Sequence, residues 1–350
     1  MNAVRKLARG PGQVAVVDVE EPTAGPGQVV VEVAAAGICG TDLHIVDDEF
    51  ATEPPVTMGH ELAGTVAEVG AGVTGWSVGD RVTSETYFST CGRCIHCRRG
   101  RPNLCSARRS IGSRENGAFA PYLLVPATNL HRVPDTLPLE HAALTEPLAC
   151  TVHGVTDTAG VRAGDRVAIT GPGPIGLLAL QLAVAAGARA VMLGTGADRG
   201  RLALARELGA AAAIDVEQES DVPQAVNDAL QADGADVAIE CSGAEPAAAT
   251  LLQVVTRGGR FAQMGLYGRR IALDQDVVCY KELTVTGTNA SVPTAWPRAL
   301  RLLADGAVRA DRLITHRFDL SAWDEALALV RSKRGAKVLL RPGGTVGSSR

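Results

Sequence analysis

Aromatic side chains are scarce in this chain of 350 residues, where Phe, Trp and Tyr together make up only 3%. Because large rings cannot fill the interior, we expect cores of Val, Leu, Ile and Ala, in keeping with a hydrophobic fraction of 46%. The length is sufficient for two domains with substantial cores. The 39 glycines predict many tight turns and close backbone approaches.

A strong charge of either sign is also missing, as are an N-terminal signal segment and a long apolar run. The formal net charge of -4 gives no reason to expect a nucleic acid or an anionic membrane as a partner. The N-terminus lacks the apolar core of a secretory signal, and no apolar run is long enough to span a bilayer. We therefore expect a cytoplasmic protein whose thiols stay reduced.

Half of the eight cysteines stand in one short segment that is rich in Gly, Arg and Pro. Spacings of two, two and seven intervening residues allow one loop to bring four thiolates around a single ion. The pattern favours a structural zinc over the alternatives, which are two disulfides, four free thiols or an iron–sulfur cluster. The predicted ligands are Cys91, Cys94, Cys97 and Cys105.

The pattern of predicted secondary structure changes near residue 160. Up to about residue 150, short β segments such as 29–33, 62–69 and 78–82 are interrupted by Gly and Pro. Beyond it, strands alternate with Ala- and Leu-rich helices, which predicts an α/β domain with one doubly wound, six-stranded parallel sheet. The predicted strands of that sheet are 166–170, 190–193, 212–215, 235–239, 260–264 and 283–286.

This change of pattern predicts that the chain is divided into three segments. We expect a β-rich domain over 1–150, a dinucleotide-binding domain over 151–289, and a final segment, 290–350, that returns to complete the first domain.

The first strand of the predicted parallel sheet leads into a glycine-rich turn and then a helix. Glycines there permit a tight turn and let a pyrophosphate approach the free amides at a helix N-terminus. A purely structural turn is the alternative. The predicted cofactor-binding residues are Gly171, Gly173, Pro174, Ile175 and Gly176.

The part of the chain that should bind the adenine ribose lacks the expected acidic residue. A carboxylate is expected about twenty residues beyond the glycines, but the second strand ends at Thr195. Arg199 and Arg201 follow closely and would accept a 2′-phosphate, so the sequence slightly favours NADP over NAD. Alternatively, both arginines are solvated charges at a helix start, and Asp198 reaches the ribose.

Further metal donors lie in the β-rich part of the chain. A catalytic zinc takes about three protein ligands and keeps an open position for water or substrate. A single Cys, His or Glu would more often be structural, but several of them together offer sulfur, nitrogen and oxygen donors to one metal ion. The candidates are Cys39, His60, Glu61, Glu146 and Cys150.

Motifs that span nearly the whole chain resemble one enzyme family. They are residues 37–44 (GICGTDLH), 58–61 (MGHE), 146–153 (EPLACTVH), 171–176 (GPGPIG), 314–318 (ITHRF), 335–340 (GAKVLL) and the four-cysteine lobe. The chain resembles medium-chain zinc-dependent alcohol dehydrogenases of the sorbitol (polyol) and threonine dehydrogenase branch. The resemblance implies a GroES-like catalytic domain, a Rossmann domain, and a homodimer or homotetramer.

The same resemblance implies roles for individual residues. Cys39, His60 and Glu146 would bind a catalytic zinc, with Glu61 beside it and able to exchange in, and with Cys150 as the alternative to Glu146. The four lobe cysteines would hold a second, structural zinc.

Other family members relay a proton through positions that correspond to Thr41 and His44. Asp42 is expected to orient His60.

The implied reaction is hydride transfer between a secondary alcohol and NAD(P), which gives a ketone. Polyols, cyclitols and sugar alcohols are the expected substrates. A threonine-type 3-dehydrogenase is the alternative enzyme, although Phe88 stands where threonine dehydrogenases carry a substrate-contacting histidine. A redox sensor that binds NAD(P)H without catalysis is the alternative from another class.

Overall fold

A computed structural model of the chain describes residues 1–343 and divides it into two compact units. The first unit comprises 1–147, 292–304 and 314–343, and the second comprises 148–291 and 305–313. The sequence predicts boundaries after residues 150 and 289. The end of the predicted return segment, 344–350, lies outside the described residues.

Both units are built around β-sheets. Within residues 1–343 the strands are β1 Asn2–Lys6, β2 Val14–Asp18, β3 Gln28–Gly37, β4 Val56–Thr57, β5 Glu61–Val69, β6 Arg81–Ser84, β7 Tyr87–Ser89, β8 Arg109–Ser110, β9 Tyr122–Pro126, β10 Leu130–Arg132, β11 Arg166–Thr170, β12 Arg189–Gly194, β13 Ala212–Asp215, β14 Ala235–Glu240, β15 Val255–Gln263, β16 Thr284–Gly287, β17 Ile314–Asp319 and β18 Lys337–Arg341.

The α-helices are mostly short, and most of the long ones belong to the second unit. They are α1 Gly40–Val46, α2 Ile95–Arg98, α3 Leu139–Ala142, α4 Thr145–Thr151, α5 Pro174–Ala185, α6 Arg199–Glu207, α7 Val222–Leu230, α8 Glu245–Val254, α9 Asp276–Tyr280, α10 Trp296–Ala304, α11 Ala310–Leu313 and α12 Trp323–Arg331.

The main sheet of the first unit has the order β10-β6-β5-β3-β18-β17, with β9 also paired to β3. Strand β18 lies antiparallel to β3, where Leu340 stands opposite Ala36, so the last described strand completes a sheet begun near the N-terminus. The alternating valines Val29, Val31 and Val33 of β3 are buried in this unit's apolar core. Leu, Ile, Val and Ala make up most of that core, as the scarcity of aromatics predicts.

One strand prediction in this unit was placed wrongly. The sequence predicts a strand over 78–82, but β6 begins at Arg81. Val78 is 69% exposed, and Gly79 has a φ of 93°, so the chain is still turning there. The prediction was wrong because Val78 is apolar and was counted as the first residue of the strand, although it lies in the turn.

The second unit confirms the predicted doubly wound sheet. Its order is β13-β12-β11-β14-β15-β16, and every neighbouring pair is parallel. The chain runs outward from β11 to β13, then crosses back to β14 and runs outward to β16. The order of strands therefore reverses between β11 and β14, and dinucleotides bind at the carboxyl ends of strands at such a reversal.

Over residues 1–343, none of the helices combines the length and the apolar character that crossing a membrane requires.

Candidate metal and dinucleotide sites

Cys39 is positioned by the start of helix α1, for which it is the N-cap residue. The carboxylate of Asp42, in the first turn, accepts a hydrogen bond of 2.8 Å from the Cys39 backbone amide. Asp42 is completely buried, and its other oxygen, Oδ1, lies 3.9 Å from Nδ1 of His60. Asp42 thus binds the backbone of one candidate ligand and places a carboxylate oxygen near the imidazole of another, without a direct hydrogen bond to it. Its role in orienting His60 stays a prediction.

Three donor atoms converge in the first unit. One atom each from the Cys39 thiol, the His60 ring and the Glu61 carboxylate all lie within 4.8 Å of one another. Burial acts to lower the pKa of His60, but the charges of Cys39, Asp42 and Glu146 outweigh it and raise that pKa well above its ordinary value. Surroundings that attract a proton so strongly also suit a divalent cation, and sulfur, nitrogen and oxygen are the donor types that zinc accepts.

The four-cysteine lobe forms a second donor group, in which all four sulfur atoms lie within 4.8 Å of one another. Sulfur–sulfur distances are 3.5 Å for Cys94–Cys97, 3.6 Å for Cys91–Cys105 and 4.0 Å for Cys91–Cys97. These separations are too long for disulfides and match the ~3.8 Å expected between thiolates around a tetrahedral zinc. Backbone N–H groups of Arg93 and Cys94 lower the pKa of Cys91 to about 6, which favours its thiolate.

The three glycines of the turn in the second unit have different steric surroundings. Gly171 has a φ of 83°, and a Cβ there would come within 2.7 Å of the Ser242 backbone. Gly176 packs against the carbonyl of Gly171, whereas a Cβ on Gly173 would meet no protein atom within 4 Å. Gly173 is also the N-cap of α5, whose first residue is Pro174. The turn is therefore open only at the residue that faces a helix N-terminus, as pyrophosphate binding requires.

Ile175 follows Pro174 in the first turn of α5, where it is partly buried. The five predicted residues therefore lie in the turn between β11 and α5 and in the first turn of α5.

Comparison with known proteins agrees with this geometry. Residues 25–135 match the alcohol dehydrogenase GroES-like domain, and residues 174–305 match the zinc-binding dehydrogenase domain. A sorbitol dehydrogenase from Halalkalibacterium halodurans is 42% identical, over 98% of this chain and 99% of that protein. The chain belongs to the zinc-dependent, medium-chain alcohol dehydrogenase family.

Two further proteins are similar to this dehydrogenase over nearly its whole length. An L-threonine 3-dehydrogenase from Pyrococcus horikoshii is 40% identical, over 97% of this chain and 98% of that protein. A solved structure of a Sinorhizobium meliloti protein bound to NADP has a TM-score of 0.90 and 37% identity, and covers 97% of this chain and 99% of its own. The predicted resemblance and fold class are confirmed, and the dehydrogenase uses zinc and a nicotinamide dinucleotide.

The third ligand of the catalytic zinc stays a prediction. Glu61 belongs to the compact donor group, whereas Glu146, in the first turn of α4, does not. Glu146 is 6% exposed, and its charge raises the pKa of both His60 and Lys337, so its carboxylate lies near the group. Cys150 stands one turn further along α4 and is only partly buried.

The proton relay likewise stays a prediction. The Thr41 hydroxyl lies 3.8 Å from Sγ of Cys39, which is one atom of the candidate metal site. His44, one turn along α1, makes a contact of 2.7 Å between its Nδ1 and a carboxylate oxygen of Glu49. Its side chain is 37% exposed, so a proton that reaches it has access to solvent.

Around the ribose position, the predicted residues are engaged in local contacts. Asp198 caps the turn after β12, where its carboxylate lies 3.2 Å from the Thr195 hydroxyl. The same carboxylate lies 3.6 Å from the guanidinium of Arg201, which is only 11% exposed. Arg199 begins α6 and is exposed.

One residue of the metal region was missed from the sequence. Lys337, at the start of β18, donates hydrogen bonds of 2.6 and 2.8 Å to the Glu61 carboxylate and one of 3.1 Å to the Ile38 carbonyl. Lys337 is 2% exposed and Glu61 is completely buried. The available signal was a lysine directly before three apolar residues, 338–340, within the motif 335–340.

Proposed function

We propose that this dehydrogenase oxidises a secondary alcohol of a polyol, cyclitol or sugar alcohol to a ketone, with NAD(P) as the hydride acceptor. The observation that carries the proposal is the mixed donor group of Cys39, His60 and Glu61. Four sulfurs close the coordination of a zinc in the lobe, whereas a mixed group of about three ligands leaves a position for substrate. The sorbitol dehydrogenase relative supports a polyol as the substrate class.

The residues of this donor group and some of their neighbours have separate roles in the proposed reaction. Cys39 and His60, with Glu146 or Glu61 as the third ligand, would hold zinc, which when bound supplies a Lewis acid that lowers the pKa of an alcohol. Asp42, whose Oδ1 lies 3.9 Å from Nδ1 of His60, would orient that ring through its charge.

Thr41 accepts the alcohol proton and passes it towards His44 and solvent. The carbon that bears the alcohol oxygen gives its hydride to the nicotinamide of a dinucleotide whose pyrophosphate is bound at the turn 171–176.

The remaining parts of the proposal concern stoichiometry and assembly. The two donor groups support two zinc ions per chain, one catalytic and one structural. A small-molecule alcohol, a homodimer or homotetramer, and a cytoplasmic location are further predictions. The choice between NADP, which the sequence slightly favours, and NAD depends on the residues around Gly196.

A threonine-type 3-dehydrogenase is the second candidate, because an L-threonine 3-dehydrogenase is 40% identical over 97% of this chain. Phe88 argues against it. This residue packs against the apolar core of the first unit and offers no imidazole to a polar substrate.

The test is cofactor reduction by the purified protein with polyols, cyclitols, aminocyclitols and threonine, with NAD and NADP in parallel. We expect turnover with a polyol or cyclitol, its loss on treatment with a zinc chelator, and its recovery on addition of Zn²⁺. Turnover restricted to threonine would replace the polyol proposal by the second candidate. Turnover that survives complete removal of zinc would refute the metal site.

A further inference from the structure

The position at which the fold expects a ribose-binding acid is occupied by a glycine. Twenty residues beyond Gly176, the last glycine of the turn, stands Gly196, two residues after the carboxyl end of β12. In parallel sheets of this kind an Asp or Glu about twenty residues on binds the ribose 2′-hydroxyl of NAD. Gly196 has no side chain for this purpose, which is why the sequence alone favours NADP.

The structure supplies a carboxylate at the same place from a different strand. The Gly196 amide donates a hydrogen bond of 2.9 Å to Oε2 of Glu217, in the segment after β13. A Cβ built on Gly196 would lie 3.0 Å from that oxygen and 3.6 Å from Oδ2 of Asp215. The Glu217 carboxylate therefore lies where the side chain of an acidic residue at position 196 would begin.

The segment that carries this carboxylate is held in place locally. The Glu217 backbone amide donates a hydrogen bond of 3.1 Å to Oδ1 of Asp215, the last residue of β13. Asp215 lies opposite Gly194 in the register of β12 and β13, so the turn after β13 is next to the turn after β12. Glu217 itself is exposed and is therefore accessible to a bound nucleotide.

We propose that Glu217 is a specificity-determining residue of this dehydrogenase, whose carboxylate accepts a hydrogen bond from the 2′-hydroxyl of the adenosine ribose of NAD and repels the 2′-phosphate of NADP. The proposal rests on the proposed function in one respect, namely that the dinucleotide binds at the turn 171–176. Asp215 adds negative charge beside Glu217, and a phosphate there would meet two carboxylates at close range.

The arginines that suggest NADP are poorly placed to offset this charge. Arg201 is 11% exposed and is paired with Asp198 at 3.6 Å. Arg199 is exposed at the start of α6, and its single positive charge is outnumbered by the two carboxylates of Glu217 and Asp215. The proposal thus reverses the preference predicted from the sequence, and it sets this chain apart from the NADP-bound relative.

Binding measurements test the proposal without any alcohol substrate. Dissociation constants for NADH and NADPH would be measured by nucleotide fluorescence, at one ionic strength, for the unmodified protein and for Glu217→Gln. We expect the unmodified protein to bind NADH at least about tenfold more tightly than NADPH, and Glu217→Gln to reduce that ratio about tenfold. The matched control is Glu219→Gln, an exposed carboxylate two residues further along, which should leave the ratio unchanged.

A rescue variant separates a direct role from a structural one. Gly196→Asp in the Glu217→Gln background returns a carboxylate to the same place, and we expect the preference for NADH to return with it. NADPH binding as tight as NADH binding in the unmodified protein would overturn the proposal. So would a ratio unchanged by Glu217→Gln, or equal weakening of both nucleotides. Failure to oxidise polyols would refute the proposed substrate class and leave this result untouched.

Discussion

At Lys337 one ammonium group offsets several negative charges in the interior of the first unit. Burial acts to lower the pKa of Lys337, but Glu61, Cys39 and Glu146 raise it above its ordinary value, so the side chain stays charged. Lys337 and Glu61 are 2% and 0% exposed, so neither charge can be hydrated if its partner is removed. Losing one member of such a buried pair is much more costly than replacing both.

Replacing Lys337 by Met should therefore destabilise the first unit by about 3–5 kcal/mol. Urea unfolding followed by tryptophan fluorescence measures this unit specifically, because its residues include all three tryptophans of the chain, Trp76, Trp296 and Trp323. The double variant Lys337→Met/Glu61→Gln should recover most of the loss. An exposed control, Lys333→Met, should change stability by less than about 0.5 kcal/mol. A Lys337→Met variant as stable as this control would contradict the account.

At the scale of the element, the cysteine lobe is a short loop whose shape we expect to depend on the proposed structural zinc. Helix α2 has four residues, and its N-cap is Cys94, whose sulfur accepts a hydrogen bond of 3.4 Å from the Cys97 amide. The lobe segment 91–105 contains few large apolar side chains, and Ile95 is 54% exposed. Coordination and amide–sulfur hydrogen bonds must then replace a hydrophobic core.

The Cys94→Ser variant should lose the lobe zinc and keep the other. Elemental analysis should give about one zinc per chain for this variant, against about two for the unmodified protein. Limited proteolysis should cut the variant within 89–108 first. The matched control is Cys279→Ser, because Cys279 is an exposed free thiol in the second unit and belongs to neither donor group. Two zinc ions in Cys94→Ser would exclude this ligand assignment.

Helix α3 is tied to the last two strands of the first unit through Glu140. Its carboxylate accepts hydrogen bonds of 2.6 Å from Arg317 on β17 and of 2.6 Å from Arg341 on β18. Burial acts to raise the pKa of Glu140, but the two guanidinium groups outweigh it and lower that pKa. A carboxylate with a lowered folded-state pKa contributes stability above its unfolded pKa and loses it as the pH falls through the folded value.

The Glu140→Gln variant should consequently be less stable than the unmodified protein at pH 7, by about 1 kcal/mol. The difference should shrink as the pH falls below about 4.3 and vanish beneath the lowered folded-state pKa of Glu140. Unfolding midpoints measured from pH 7 to pH 3 give the profile, with Glu325→Gln as an exposed carboxylate control. A difference that is constant with pH would show that the ion pairs do not contribute.

Over the whole molecule, the features predicted from the sequence are those that neighbouring residues determine. The six parallel strands, the glycine turn and the four-cysteine lobe all follow from local periodicity, turn residues or spacing. Even so, β15 begins at Val255, five residues before the predicted strand, because the buried Val255 pairs with Ala235 ahead of the exposed Arg257 and Gly258.

Pairings between distant residues could not be predicted in this way. Lys337 and Glu61 are 276 residues apart in the chain, and Glu217 reaches Gly196 from another strand. Ring stacking between His131 and Trp296, with 5.5 Å between the ring centroids, also joins distant segments of the chain. Such contacts depend on strand order and register, which no local pattern specifies.

The central claim is that zinc bound by Cys39 and His60 is required for alcohol oxidation, while the lobe zinc and the dinucleotide site are independent of it. The most direct test is to measure zinc content, NADH binding and alcohol turnover together for His60→Ala. The account predicts about one zinc per chain, unchanged NADH affinity, and turnover reduced at least about a thousandfold. Turnover close to that of the unmodified protein, with the second zinc absent, would contradict it.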